Sequence, residues 1–234
     1  YIKMNMTYND ITSNTAGNNG GCMSFDDNIE INIINNIIKN NTASISGGVI
    51  YANHSSRMPN LIDSQVLYNT ALNGNCGAFC TSLSIIRKCN IEYNVAHKNG
   101  GFAYSLKSFH AMIDILDTRM ISNNAIHGSG GGIWIHNVSL SNGLLLNVMS
   151  SIFNDNTAGI HGGIMYINDN NIDIRISNSS MVSNKALLGD GGCISSRSYI
   201  NMNMTYNDIT SNTAGNNGGC MSFDDNINIQ MYSN

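Results

Sequence analysis

The chain has 234 residues, only 11% of them charged, with a net charge of −4. Its 11 Lys and Arg residues lie scattered without a basic stripe, which argues against a nucleic-acid partner. No apolar run approaches the ~18 residues of a membrane-crossing helix, and no charged-then-apolar leader opens the chain.

Taken in order, the chain keeps repeating itself. The first unit carries Ile11, Asn14, Ala16, the pair Gly20-Gly21 and then Cys22. A segment of alternating character follows, Ile29-Glu30-Ile31-Asn32-Ile33, and the second unit brings Ile38, Asn41, Ala43, Gly47-Gly48 and the apolar Val49-Ile50-Tyr51. The third has Val66, Asn69, Ala71 and Cys76-Gly77; the fourth Ile91, Asn94, Ala96 and Gly100-Gly101. Met120, Asn123, Ala125, Gly130 to Gly132 and Ile133-Trp134-Ile135 make the fifth, and Phe153, Asn156, Ala158 and Gly162-Gly163 the sixth. Met181, Asn184, Ala186 and Gly191-Gly192 form the seventh, and Ile209, Asn212, Ala214 and Gly218-Gly219 the eighth. Successive alanines are 25 to 33 residues apart. Seven units amount to a longer period of 198 residues, over which Tyr1 to Ile29 returns as Tyr199 to Ile227 with one change, Lys3 against Asn201.

A period near 28 residues with two-residue alternation predicts an all-β solenoid of about eight coils, because one such unit cannot bury its own apolar face and must stack on its neighbours. Each coil is expected to hold about three short strands, with turns at the Asn-x-Ala stretch, before the Gly pair and after the apolar segment. Eight coils stacked at about 4.8 Å make a rod roughly 40 Å long. Stacking in register turns Asn14, Asn41, Asn69, Asn94, Asn123, Asn156, Asn184 and Asn212 into a structural column whose amides bond along the axis. The glycines suit turns that need positive φ or close approach to the next coil. An open solenoid end exposes strand edges, so flanking repeats or other copies of the chain are expected to stack end to end on this one.

Of the six cysteines, Cys22, Cys193 and Cys220 share one place in their coils. Consecutive stacking makes Cys193 and Cys220 a candidate disulfide, with stacked buried thiols as the alternative. Cys76, Cys80 and Cys89 cluster around one turn and leave an odd thiol, while a zinc site there lacks a fourth ligand. Sequons at Asn5, Asn40, Asn53, Asn137, Asn178 and Asn203 are candidate glycosylation sites.

Catalysis on a β-helix needs clustered carboxylates, to hold calcium or to act as acid and base. Asp26-Asp27 and their copies Asp224-Asp225 are the candidates for a polysaccharide lyase or glycoside hydrolase. Their equivalents in adjoining coils are Asn53-His54 and Ser196-Arg197, so Arg197 beneath Asp225 predicts a surface ion pair instead. His97, His127 and His161 occupy one turn in three consecutive coils, though at different offsets, and are expected to be solvated rather than to bind metal. The row before each alanine, Thr15, Thr42, Thr70, Val95, Asn124, Thr157, Lys185 and Thr213, is too interrupted for an ice-binding face. Gly189-Asp190-Gly191-Gly192 resembles a single piece of a calcium-binding repeat without the tandem copies. No cofactor or metal is expected. Tyr51, Phe79, Tyr104, Trp134 and Tyr166 line a carbohydrate surface if they face outward and fill the core if they do not. The longest interval contains Asn137 to Gly143, the place where a partner loop is expected.

The signatures Phe-x-x-Asn, present as Phe153-Asn154-Asp155-Asn156, and Gly-Gly-Ala-Ile, approximated by Gly48-Val49-Ile50 and Gly163-Ile164-Met165, resemble the repeats of the chlamydial polymorphic membrane proteins and of similar microbial surface proteins. That resemblance implies a right-handed parallel β-helix at a cell surface or outside the cell. The expectation is a single domain over residues 1–234, cut from a longer repeat chain. It would serve as a non-catalytic scaffold, either an adhesin facing a host-cell or glycan receptor or a filament or coat component.

Overall fold

The computed structural model describes residues 2–26, 29–52, 57–81, 84–106, 112–136, 143–168, 172–197, 199–224 and 226–233. Their strands form four parallel sheets, the first of nine strands and the others of eight each. The chain thus winds as a right-handed parallel β-helix through eight coils and begins a ninth. Among the described residues there is no helix.

A coil holds four strands, one more than its sequence pattern suggests. In the second coil these are Ile29–Ile34, Ile37–Lys39, Thr42–Ala43 and Ile50–Ala52, one in each sheet. The extra strand arises where a simple turn was expected. Asn40 takes φ +57° and bends the chain there, and Thr42–Ala43 then pairs with Thr15–Ala16 on one side and Thr70–Ala71 on the other.

Strand alternation fills the interior. Ile29, Ile31 and Ile33 enter from the first sheet, Ile38 from the second, Ala43 from the third and Ile50 from the fourth, all at 0% exposure. Full burial of each isoleucine stabilises the fold by about 1.5–3 kcal/mol, and it requires coils above and below. Phe79 and Phe102 meet edge to face inside, their ring centroids 5.6 Å apart. Pro59 lies in the strand Arg57–Ile62, where pairing with the preceding coil shifts register; a residue without an N–H is best placed where the ladder is already irregular.

The Gly pair does two jobs. Its first member takes φ near +67°, as at Gly100, a conformation cheap only without Cβ. Its second lies so close to the next coil that a Cβ on Gly48 would overlap the Gly77 carbonyl and the Thr70 backbone.

Candidate functional site

Two polar columns run up the rod at the corners flanking the second sheet. In the first, the predicted asparagines form a continuous ladder. Each side-chain Nδ2 donates to Oδ1 of the next coil, over 2.9 Å from Asn14 to Asn41 and 2.9–3.0 Å at every later step up to Asn212. The same Oδ1 accepts a backbone N–H from the coil before, and a second Nδ2 proton reaches back to a carbonyl such as that of Ile91 from Asn123. The amide's donors and acceptor are thereby satisfied at 0% exposure from Asn41 to Asn184.

The second column, which the sequence reading missed, stands five residues earlier. Asn9, Asn36, Ser64, Cys89, Thr118, Ser151, Ser179 and Asn207 occupy it, and a backbone N–H bonds upward to the next side chain at Asn36 to Ser64 Oγ (3.0 Å), Thr118 to Ser151 Oγ (3.2 Å) and Ser179 to Asn207 Oδ1 (2.9 Å). Its signal was a small polar or thiol residue at a constant distance from each ladder asparagine.

Cys193 and Cys220 do stack, yet as free thiols: parallel coils point both side chains the same way, and the sulfurs lie 3.1 Å apart sharing a hydrogen bond. Burial pushes the Cys193 thiol up, whereas the hydrogen bond shared with Cys193 lowers that of Cys220. The disulfide in this structure joins Cys76 to Cys80. Cys89 is the odd thiol of that cluster, pushed by burial up to about 11.

The sequon residues Asn5, Asn40, Asn178 and Asn203 are exposed; Asn53 and Asn137 lie outside the described residues, as does the loop 137–142 apart from Gly143. Asp27 and Asp225 also lie outside them. Asp26 is exposed, and Arg197 Nε meets Asp224 Oδ2 at 3.6 Å, one residue from the partner expected for it. Asp190 accepts from Asn216 Nδ2 and the Asn217 N–H, so its carboxylate is engaged in coil stacking. His97 and His127 are in contact, ring centroids 4.7 Å apart, but His161 turns away to stack on Tyr166 and to meet Asp190 at 3.3 Å. Among the described residues no three His, Cys, Asp or Glu side chains converge as metal ligands.

The aromatic residues divide. Phe79 is core, whereas Tyr51, Tyr104, Trp134 and Tyr166 fall in one outward column of the fourth sheet, which continues through Cys80 and ends in Ser24, Ser195 and Ser222. Tyr104 meets Trp134 edge to face at 4.2 Å, and Tyr166 lies 6.2 Å beyond. Tyr104 and Tyr166 are only 8% and 6% exposed, and burial pushes the Tyr104 hydroxyl up to about 12 and that of Tyr166 upward. Trp134 and Tyr51 remain half-buried. The indole Nε1 of Trp134 is buried without a hydrogen-bond partner. No protein-family model, curated protein or solved structure matches the chain significantly.

Proposed function

We propose that the protein is a non-catalytic adhesive or filament-forming rod at a cell surface or outside the cell, akin to the β-helical repeats of the polymorphic membrane proteins. Its main support is the unbroken axial bonding. Adjacent coils are tied by four backbone ladders and by buried polar side chains at two corners, so bending the rod must strain many bonds at once. Inward positions are held nearly constant while outward ones vary, which suits a stiff frame presenting a changing surface. Neighbouring repeats stack end to end with the seven-coil period, about 34 Å. Among the described residues no helix is long and apolar enough to cross a membrane.

Electron microscopy of native material tests this. Straight fibres with an axial repeat near that length indicate a filament, and isolated surface rods an adhesin. Compact particles, or turnover of a polysaccharide by the purified chain, would overturn the proposal.

A further inference from the structure

We infer that the outer face of the fourth sheet from Tyr51 to Tyr166 binds an extended, neutral polysaccharide strand lying along the rod axis, with Trp134 as its central contact. This rests on the adhesive reading and names the class of partner.

In-register pairing places one side chain of this column in each coil, so the rings repeat along the axis. Serines occupy the same column at both ends, which confines the aromatic stretch to the middle of the rod. Tyr104 and Tyr166, nearly buried, clamp Trp134 from either side, while Trp134 and Tyr51 keep open surface. Such a ring is pre-organised, and little conformational entropy remains to be lost on binding. Packing alone does not account for a tryptophan, because phenylalanine would fill the space without a buried donor lacking an acceptor.

The charge pattern selects the partner. Among the described residues the column has no ionised side chain, and two charged pairs close to it are matched internally, His161 with Asp190 and Arg197 with Asp224. The column itself thus offers no cation to meet a sulfated or uronic chain. Between Tyr51 and Tyr166 a peptide would find no unpaired strand edge, since the backbone groups of these strands are spent on adjoining coils. A pyranose chain offers apolar C–H faces to the rings and hydroxyls to the hydrogen-bonded pair His136 and Asn168 at the border. From Tyr51 to Trp134 is three coil spacings, about 14 Å, so only an extended chain reaches both.

Trp134 is the single tryptophan, and its emission therefore reports the site. The whole chain is titrated with cellohexaose, laminarihexaose, mannohexaose and chitohexaose, with the matching disaccharides, and with polygalacturonate. At least one neutral hexasaccharide should shift the emission and bind about tenfold or more tighter than its disaccharide. By calorimetry Trp134→Ala and Tyr51→Ala should each weaken binding by about tenfold, and Tyr68→Ala, an exposed ring at a different corner, should leave it unchanged. Trp134→Phe should keep or raise the thermal midpoint while weakening the ligand, a split that a purely structural tryptophan would not give. The inference is overturned by silence to every neutral hexasaccharide at millimolar concentration, by a response to polygalacturonate alone, or by affinity surviving Trp134→Ala. Rods intact by electron microscopy alongside any of these results would leave the scaffold proposal standing.

Discussion

Replacing Asn123 by alanine tests the ladder most directly. The side chain donates to Asn156 Oδ1 and the Ile91 carbonyl, each at 3.0 Å, and to the Ile121 carbonyl at 3.3 Å. It accepts from the Asn94 backbone N–H at 3.1 Å and from Asn94 Nδ2 at 2.9 Å. Alanine removes these bonds at a site of 0% exposure and leaves the Asn94 N–H buried without its acceptor. With about 1 kcal/mol per net bond, about 1–3 kcal/mol for an orphaned buried donor, and partial relief by an entering water, the cost is about 3–5 kcal/mol. Asn14→Ala, at an exposed position, removes one side-chain bond to Asn41 and should cost about 1 kcal/mol. Asn123→Asp sharpens the test, since its oxygens would face carbonyls and Oδ1 where Nδ2 stood. Burial would raise the folded-state pKa of that carboxyl, so the variant keeps its stability below about pH 4 and loses it as pH rises through the raised value. Urea unfolding followed by far-UV circular dichroism measures all three. Equal costs for Asn123→Ala and Asn14→Ala would refute the axial accounting.

Four further outcomes follow from particular sites. Gly131→Ala, whose Cβ would overlap the Gly163 carbonyl and the Thr157 backbone, should cost about 1–3 kcal/mol or more, while Gly17→Ala, with nothing within 4 Å, should be neutral or slightly stabilising in the same unfolding assay. Native-state iodoacetamide labelling read by mass spectrometry should modify Cys220 before Cys22 and leave Cys193 and Cys89 intact; rapid labelling of Cys193 would contradict its burial. Tyr104 and Cys89 are pushed from 10.0 to about 12 and from 9.0 to about 11, so the neutral forms favour the fold; their contribution is fully present below about pH 9 and should fall as pH rises toward 12, which unfolding midpoints across that range will show. Lys3→Asn and Glu30→Asn should each cost under about 0.5 kcal/mol for a pair this exposed, and a double-mutant cycle should recover most of the loss when both become asparagine.

How much of this was legible depended on whether a position demands one residue or only one property. The asparagine ladder was plain because each place needs two donor protons and an acceptor on one short side chain, and the hydroxyl of threonine or serine has only one proton to donate. The neighbouring column asks mainly for an acceptor to the N–H of the coil before, so Ser64, Thr118 and Asn207 serve alike and no single letter recurs. The corners were hidden for a related reason. Positive φ falls on Tyr68, Lys88 and Tyr93 as well as on Asn35 and Asn40, residues that carry no turn signature. The ladder bond made by the residue that follows offsets the cost of that conformation. The aromatic residues were misgrouped by one position: Phe79 pairs with Ile50 and is inward, whereas Cys80 pairs with Tyr51, and a one-residue offset in a strand changes its face. The cysteine cluster was visible, but the pairing of Cys76 with Cys80 depended on Cys76 taking the positive-φ place that glycine holds in other coils.

The one difference between the repeated segments bears on how such a rod keeps its order. Inside, consecutive coils are so alike that almost any coil would stack on any other: the ladder asparagine, the buried alanine and the Gly pair recur in nearly every one. Outside they are not interchangeable. Lys3 lies opposite Glu30, with Nζ and Oε1 3.1 Å apart, and Asn201, its counterpart seven coils on, lies opposite Asn228, whose Nδ2 donates to Asn201 Oδ1 at 3.0 Å. The residue and its upper neighbour change together, charge with charge and amide with amide. Setting Lys3 against Asn228 would lose the ion pair, and setting Asn201 against Glu30 would put an amide where the carboxylate had met an ammonium. Each loss is small at an exposed site, but matched pairs recur on the outer face of the first sheet, as where Asn147 donates to Asp114 and Asn201 to Asp173, while the interior supplies stability without discrimination. Stability and stacking order are therefore carried by different faces of the same strands, and the outward face is free to diversify only as fast as the coil above can follow.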